Sequence, residues 1–249
     1  MPSSRLARSR KARRGTELMC EAVFRPLAHP FVLLFARLRV PPPLVVVAAG
    51  AAGVAAAVEL GRGSLLAAAL LVQLKTLLDN ADGQLARLTS RTSVFGRYLD
   101  SEVDLLVNAA LFAALGWTTG RPALALAGFL ALTSVLSLNF NSERLSRAAV
   151  TESEPDDRRT ALLRRFYRFV YAPQDRLAEA LAVRRPALTG PTAVSLLANL
   201  GMSTQLAAFG LLIALGHPLA FAWLVLAEAA VIALALLPRR VPWRQEEIA

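Results

Sequence analysis

The sequence predicts an all-α polytopic membrane protein with six transmembrane helices and an N-terminal interfacial amphipathic helix. Hydrophobic residues make up 55% of the 249 residues and the mean hydropathy is +0.46, which is high for a soluble domain. Six apolar segments carry most of this excess, and each is close to the roughly 20 residues that a helix needs to cross a bilayer. A soluble core is a poor alternative because a soluble domain of this size needs more polar surface. The six segments are residues 44–60, 65–87, 94–117, 122–140, 192–215 and 218–237.

Basic regions surround these segments. The N-terminal tail has six basic residues and almost no apolar ones. The next region combines apolar residues with arginines, Pro26 and Pro30, as expected of one or two helices that lie in the membrane interface. The predicted regions are a cytosolic tail at 1–16, an interfacial segment at 17–40, a six-helix membrane domain at 41–240 that contains a cytosolic connection at 141–191, and a tail at 241–249.

The connection between the fourth and fifth apolar segments contains two predicted helices. Residues 158–171 interleave leucines and phenylalanines with five arginines, a pattern that is typical of a basic amphipathic helix at a membrane surface. Residues 174–183 predict a second short helix. The connection is therefore expected to be folded and to lie close to the membrane.

The distribution of charge predicts how the chain crosses the membrane. Of the 28 lysines and arginines, 25 fall on one side, Arg62 and Arg121 fall on the other, and Lys75 lies within a span. The positive-inside rule therefore places both termini on the cytosolic side of a cell inner or plasma membrane. The formal charge of +10 is thereby assigned to anionic membrane lipid, and nucleic acid is not an expected partner. One cysteine excludes an internal disulfide, and two histidines are too few for an ordinary zinc site.

Four aspartates recur at helical spacing in the second and third apolar segments. Each residue of an α-helix turns by about 100°, so the first two aspartates share one face and the last two share another. The intervening residues 88–95 allow a reversal that sets these faces opposite each other, toward the cytosol. Four carboxylates in an apolar setting repel strongly, so we expect divalent cations to compensate them. The full pattern is Asp79-x2-Asp82-Gly83-x2-Ala86-Arg87-x8-Gly96-x3-Asp100-x3-Asp104.

The eight fixed positions of this pattern resemble the signature of the CDP-alcohol phosphatidyltransferases, with no substitution. A chance match has a probability on the order of 10^-8, far below that of a usual short motif. The resemblance implies a membrane enzyme of phospholipid synthesis. Such an enzyme transfers a phosphatidyl or phospho-alcohol group from a CDP-linked lipid donor, CDP-diacylglycerol being the one expected, to the hydroxyl of a polar alcohol or phospho-alcohol acceptor, with release of CMP. It also implies a homodimer.

The residue types suit that chemistry. Carboxylate oxygens without nearby cysteine or histidine favour two Mg²⁺ (or Mn²⁺) ions, which neutralise a pyrophosphate and its leaving phosphate. By resemblance, Asp104 also takes the proton of the acceptor. Lys75 lies four residues before Asp79 and either contacts the substrate or pairs with the acidic cluster. The expected metal ligands are Asp79, Asp82, Asp100 and Asp104, and the expected contacts of the CDP part are Gly83, Ala86, Arg87, Ser93 and Gly96.

Three alternatives stay open at this point, of which the last is a catalytically silent structural member of the family; the presence of all four aspartates argues against it. The first is a related enzyme that donates a CDP-linked soluble alcohol to a lipid acceptor, because the motif serves the CDP pyrophosphate in both cases. The second is a divalent-cation carrier that uses the same aspartates within the membrane. Cation passage does not require the motif residues Gly83, Ala86, Arg87 and Gly96, which argues against a carrier.

Three further polar residues in apolar segments have expected structural roles. Asn108 is expected to form a hydrogen bond between helices, and Glu228 is expected to act in structure or at an interface. Glu102 lies off the face shared by Asp100 and Asp104, so it is expected to be a peripheral charge.

Overall fold

The computed structural model describes residues 15–146 and 157–236. All regular elements in these two ranges are helical, so the all-α prediction is confirmed. Most of the predicted tail at 1–16, part of the predicted connection at 141–191 and the whole tail at 241–249 lie outside the described residues. The described α-helices are α1 (Arg25–Arg37), α2 (Pro42–Gly61), α3 (Leu65–Leu88), α4 (Val94–Thr119), α5 (Pro122–Ser146), α6 (Arg158–Val170), α7 (Ala172–Arg184), α8 (Pro191–Ala198), α9 (Met202–Ala214) and α10 (Leu219–Ala235).

Local sequence signals set several helix ends. Pro42 and Pro43 lie in the first turn of α2, where no amide donor is needed. The hydroxyl of Ser93 caps α4 by accepting a hydrogen bond from the Gly96 amide at 3.0 Å. Gly120 ends the same helix in a left-handed conformation, with φ 65°. The helix that carries Asp100 and Asp104 therefore has defined ends.

Three helical stretches are long and apolar enough to cross a membrane, among the described residues: α2, α5 and residues 191–214. Helix α10 is apolar but shorter, while α3 and α4 have the length and also carry the charged motif. The predicted count of six spans therefore stays a prediction.

The predicted fifth span is not one continuous helix. Helix α8 ends before Asn199 and α9 begins after Gly201. The N-terminal segment occupies this break: the Asn199 side chain accepts from the Leu18 amide at 2.9 Å, and the Glu17 carboxylate accepts from the Thr204 amide at 3.3 Å. A carboxylate at the amide end of α9 is favourable because the first amides of a helix lack intrahelical partners.

The N-terminal segment also differs from the expectation of helices interrupted at two prolines. Pro26 lies in the first turn of α1, where proline is tolerated, and α1 continues through Pro30. A π-helical turn, Cys20–Phe24, precedes it. Ala28 and Val32 are buried against α3, so at least one face of α1 packs on protein. Its interfacial, amphipathic character stays a prediction.

A single core joins the motif helices to the C-terminal ones. Phe112 of α4, Phe209 of α9 and Phe221 of α10 form an aromatic cluster, in which the Phe209 and Phe221 rings stack with centroids 4.4 Å apart. Helix α9 packs on α3, and α10 packs on α5. The cluster thereby holds the C-terminal pair against the helices that carry the aspartates.

Helix α2 packs on both α3 and α4. Its contact with α4 is close because Gly50 and Gly53 face that helix. A Cβ atom on Gly53 would lie 2.7 Å from Cγ2 of Val107, and one on Gly50 would lie 2.7 Å from Cγ1 of Val103. Real Cβ atoms essentially never approach so closely, and a valine in a helix has little freedom to rotate away. The small residues of α2 therefore set the distance between the two helices.

We expect Gly53→Ala to lower the free energy of unfolding by about 1 to 3 kcal/mol, because the added methyl overpacks this contact. Thermal unfolding of the purified protein in detergent measures the effect. Gly61→Ala is the matched control on the same helix, since its Cβ atom would meet Ala114 at an ordinary 4.0 Å. Adding Val107→Ala should restore part of the loss. Equal stability of the two alanine variants would show that α2 and α4 are not closely packed at Gly53.

Candidate active site

Three motif aspartates converge between α3 and α4. Asp79, Asp100 and Asp104 each offer a carboxylate oxygen, and these oxygens all lie within 4.8 Å of one another. Each of the three residues is partly buried. The turn between the helices includes Ser90, whose φ of 55° is left-handed, and it reverses the chain within a few residues. The convergence therefore follows from helical spacing on two helices and a short reversal between them.

The fourth motif aspartate lies in the same cavity but outside this group of three. Asp82 is buried, and its carboxylate accepts a hydrogen bond from the adjacent amide of Gly83. The cavity has a volume of about 310 Å³. Motif residues that line it are Asp79, Asp82, Gly83, Arg87, Asp100 and Asp104.

Three residues predicted to contact the CDP part do not line this cavity: Ala86, Ser93 and Gly96. Ser93 is exposed and its hydroxyl is engaged in capping α4. Gly96 supplies the amide of that cap, and a Cβ atom on it would lie 3.1 Å from the Ser93 hydroxyl. Ser93 and Gly96 therefore form the cap at the start of α4. They do not line the cavity that contains the aspartates.

Lys75 is almost fully buried and pairs with the acidic cluster. Its ammonium donates to Asp79 Oδ1 at 2.9 Å and also to Asp104 Oδ1. Of the two roles considered for it, this geometry shows the pairing. A single buried cation joins α3 to α4 and neutralises part of the charge, which unpaired would be very unfavourable in an apolar setting.

The cluster has the composition of a divalent metal site. Its donors are carboxylate oxygens, which Mg²⁺ and related hard ions prefer. The single positive charge of Lys75 cannot neutralise the negative charge of four aspartates. Two arginines, Arg25 and Arg87, also line the cavity. Arg25 is already paired with Glu21. The residues present therefore fit a divalent ion, with Asp79, Asp100 and Asp104 the ones that could hold it.

The opposite wall of the cavity comes from the connection between α5 and α8. Asp175 of α7 accepts hydrogen bonds from Ser137 Oγ at 3.1 Å, Asn141 Nδ2 at 2.7 Å and the Tyr167 hydroxyl at 3.0 Å. We call these four residues the Asp175 clasp. The clasp joins α5, α6 and α7, and Ser137, Tyr167 and Asp175 line the cavity.

Tyr171, at the junction of α6 and α7, ties this wall to the motif helix. Its hydroxyl donates to the carbonyl of Ser101 at 3.1 Å. Burial raises the pKa of Tyr171, and the nearby carboxylates of Asp104 and Glu102 raise it further. Burial and the Asp175 carboxylate likewise raise the pKa of Tyr167. Both hydroxyls therefore stay protonated and remain hydrogen-bond donors at physiological pH.

Sequence reasoning predicted the two helices of the connection and missed their part in the cavity. Tyr167, Tyr171 and Asp175 recur every four residues, which places them on one face. That spacing was the available signal. Five arginines on the same stretch favoured a surface helix instead.

Tyr167→Phe should lower the free energy of unfolding by about 1 kcal/mol, because it removes one of the three donors to a partly buried carboxylate. Thermal unfolding in detergent measures the change. Tyr98→Phe is the control: the Tyr98 ring packs on Tyr167 with centroids 5.3 Å apart, and no side-chain hydrogen bond of Tyr98 is found among the described residues. Equal losses in the two variants would show that the clasp bond contributes nothing.

Other polar residues behave partly as expected. Asn108 contacts Met202 across two helices, with 3.7 Å between Nδ2 and Sδ, as the predicted bond between helices requires. Glu228 accepts from Gln205 at 2.6 Å and so links α10 to α9. The expectation for Glu102 is wrong. It is 4% exposed, and within the part of the chain that the structure describes its carboxylate has no hydrogen-bond partner, because α4 is covered by protein on that side as well.

The comparisons with known proteins bear directly on this site. The family model described as CDP-alcohol phosphatidyltransferase matches residues 28–236, a range that contains every motif position. The chain belongs to this family. Because members of the family act on lipid-linked substrates and three helical stretches are long and apolar enough to span a bilayer, it is an integral membrane protein.

Individual relatives match parts of the chain. The bifunctional IPC transferase and DIPP synthase of Thermococcus kodakarensis is 37% identical over 34% of this chain and 20% of its own length. Archaetidylinositol phosphate synthase of Methanothermobacter thermautotrophicus is 31% identical over 47% of this chain and 60% of its own length. Phosphatidylinositol phosphate synthase of Corynebacterium glutamicum is 34% identical over 36% and 42%. The chain thus matches between one fifth and three fifths of the length of these relatives.

A solved structure is also similar. It is the phosphatidylinositol phosphate synthase of Mycobacterium tuberculosis with CDP-DAG bound, at 20% identity and a TM-score of 0.43, and the match covers 80% of this chain and 94% of that one.

Proposed function

We propose that this protein is an integral-membrane enzyme of phospholipid synthesis that transfers a phosphatidyl group from CDP-diacylglycerol to a polar phospho-alcohol and releases CMP. The observation that carries the proposal is the convergence of Asp79, Asp100 and Asp104 in a cavity between apolar helices, in a chain of the CDP-alcohol phosphatidyltransferase family. Two of the relatives are named for the synthesis of inositol phosphate lipids. They favour an inositol phosphate as the acceptor.

The motif aspartates divide the work in this proposal. Asp79, Asp82, Asp100 and Asp104 would hold two Mg²⁺ ions, which when bound supply positive charge for the pyrophosphate and its leaving phosphate. Asp104 pairs with Lys75, as Asp79 does. It also takes the proton of the acceptor hydroxyl.

The reaction replaces a phosphoanhydride bond of the donor with a phosphoester bond to the acceptor. The acceptor oxygen forms a bond to the phosphorus that carries the diacylglycerol. The bond between that phosphorus and the bridging oxygen breaks, and the electron pair leaves with CMP. The proton of the acceptor passes to Asp104. In-line geometry requires the acceptor on the side of the phosphorus opposite the leaving CMP. Tyr167 and Asp175 line the same cavity as the motif aspartates, so this proposal assigns the acceptor to their side.

The CDP part is assigned to Gly83, Ala86 and Arg87 of α3 and to Ser93 and Gly96 at the start of α4. Gly83 and Arg87 have the strongest support because both line the cavity. A Cβ atom on Gly83 would lie 3.1 Å from Arg87 Nη1, so the glycine leaves room for the guanidinium beside the helix. A planar guanidinium suits a phosphate oxygen pair.

The wider arrangement belongs to the same proposal. The positive charges favour six spans with the active site and both termini toward the cytosol, in a cell inner or plasma membrane. Family resemblance favours a homodimer. A donor with one apolar and one soluble end suits a cavity that lies between membrane helices and a cytosolic connection.

CMP release by the purified protein tests the proposal. The reaction contains CDP-diacylglycerol, Mg²⁺ and one acceptor at a time: inositol phosphate, glycerol phosphate or free inositol. Release that needs one acceptor and disappears in Asp100→Asn would support the transferase and identify its acceptor. Release only when a CDP-linked soluble alcohol and diacylglycerol are supplied would support the related enzyme instead.

A binding measurement separates the enzyme from a cation carrier. CMP at about 100 times its dissociation constant should stabilise a CDP enzyme by about 2.7 kcal/mol. A carrier would be stabilised by divalent ions and not by CMP. Neither CMP release nor CMP stabilisation would contradict the enzyme and favour the carrier.

A further inference from the structure

The outward face of α6 is both strongly basic and apolar. Five of the 13 residues from Arg158 to Val170 are arginines, and none is acidic. Leu162 and Phe169 are 70% and 83% exposed, and Phe166 is exposed beside them. These three apolar residues follow one another at intervals of four and three, so they form one stripe on the helix. The exposed arginines that flank the stripe are Arg158, Arg159, Arg165 and Arg168.

The inward face of α6 is occupied by the protein itself. Tyr167 packs on Tyr98 of α4 and donates to Asp175 of α7. Thr160 is buried at the start of the helix. The helix is therefore anchored on one side, and its apolar stripe is left on the other with no covering residue among those that the structure describes.

We propose that the outward face of α6 docks on the anionic lipid surface of the membrane in which the protein is embedded. Exposed phenylalanines and a leucine suit the boundary between headgroups and acyl chains, where an amphipathic helix inserts its apolar face by about 5 to 10 Å. Arginines beside that stripe meet the phosphates of the headgroups. Each basic residue near an anionic surface adds to this attraction.

Charge complementarity selects lipid over a second copy of the chain. In a symmetric dimer built on this face, the arginines of one α6 would approach those of the other, and the helix has no acidic residue to compensate them. An anionic membrane provides both the negative charge and the apolar layer. The position of α6 also fits, because Tyr167 packs on Tyr98 and Tyr171 bonds to Ser101 near the start of α4, which is one of the predicted spans.

The test places a fluorescent probe on the stripe of the full-length protein. Phe169→Cys is labelled with an environment-sensitive dye, and the unmodified protein is the blank because its Cys20 is buried. The protein is reconstituted in nanodiscs of phosphatidylcholine, with or without about 30% phosphatidylglycerol. Lipids with spin-labelled acyl chains then quench any probe that reaches the bilayer.

Quenching in anionic discs should exceed that in neutral discs by at least about threefold and should fall as salt is added. Arg165→Gln with Arg168→Gln should remove most of the difference. The matched control is Arg176→Gln with Arg184→Gln, which removes two exposed arginines from α7 and should preserve it. Equal quenching in both lipids at all salt concentrations would overturn the proposal. The proposal would also be overturned if the lipids did not quench the probe and its fluorescence instead reported contact with the probe on a second copy of the chain.

Discussion

Asp104→Asn should lower the rate of CMP release by about 1000-fold or more. The substitution removes a carboxylate that belongs to the converging group and that accepts the proton of the acceptor in our proposal. General base catalysis alone contributes about 100-fold to 10,000-fold, and the loss of a metal ligand adds to it. Rates are measured at saturating CDP-diacylglycerol and Mg²⁺, with the acceptor that supports release.

Glu102→Gln is the control for this variant. Glu102 is a buried carboxylate two residues away, on the same helix and outside the cavity. Its replacement should keep the rate within about threefold of the parent, because its carboxylate has no hydrogen-bond partner among the described residues. Full activity of Asp104→Asn, or an equal loss in both variants, would show that position 104 has no special role in the reaction.

Lys75→Met should destabilise the metal-free protein by about 3 kcal/mol. Removing one partner of a buried ion pair leaves charge uncompensated, a loss that typically costs about 3 to 5 kcal/mol, and Lys75 contacts two carboxylates at once. Mg²⁺ should restore much of the loss, because the ion and the ammonium compensate the same carboxylates. Thermal unfolding in EDTA and in Mg²⁺ measures both effects, and Mg²⁺ should raise the melting temperature of the variant more than that of the parent.

Arg62→Met supplies the comparison with an exposed ion pair. Arg62 pairs with Glu59 at 2.8 Å, and its side chain is 68% exposed. Such a pair contributes about 0 to 1 kcal/mol, so this variant should differ little from the parent in either buffer. If Mg²⁺ shifted Lys75→Met and the parent equally, the cation and the metal ion would not share a site.

The convergence of the aspartates could be predicted because it depends on short-range geometry. Helical spacing places Asp79 and Asp82 on one face of α3. The reversal at residues 88–95 then directs α4 back along α3, so Asp100 and Asp104 face that surface. Spacing cannot define the exact set of ligands. Asp82 lies on the same face as Asp79 and yet turns toward its own backbone at Gly83, so the three closest carboxylates are Asp79, Asp100 and Asp104.

The far wall of the cavity could not be predicted with the same rules. Asp175 of α7 contacts Ser137 of α5, 38 positions away in the sequence, and such contacts depend on tertiary packing rather than on local pattern. The arginines of α6, interleaved with apolar residues, correctly predict an amphipathic helix. This pattern concerns the outward face of the helix. It does not predict that Tyr167 on the inward face contacts Asp175 and Tyr98.

The break between α8 and α9 has a similar origin. Apolar composition predicts one continuous span there, because most residues of the segment 192–215 are apolar. At the break, the carboxylate of Glu17, from the other end of the chain, accepts a hydrogen bond from the Thr204 amide of α9. A Cβ atom on Gly201 would lie 2.9 Å from the Glu17 carboxyl group, so the glycine makes room for that contact. Long-range capping of this kind leaves no periodic trace in the sequence.

The most direct test of the central claim follows the donor phosphorus. CDP-diacylglycerol carries a radioactive label on the phosphorus attached to diacylglycerol and is incubated with the purified protein, Mg²⁺ and inositol phosphate. We predict that the label moves entirely into a new lipid that contains the acceptor, in equal amount to the CMP formed. Label that leaves with the nucleotide, or a donor that stays intact with every acceptor tested, would contradict the proposed transfer.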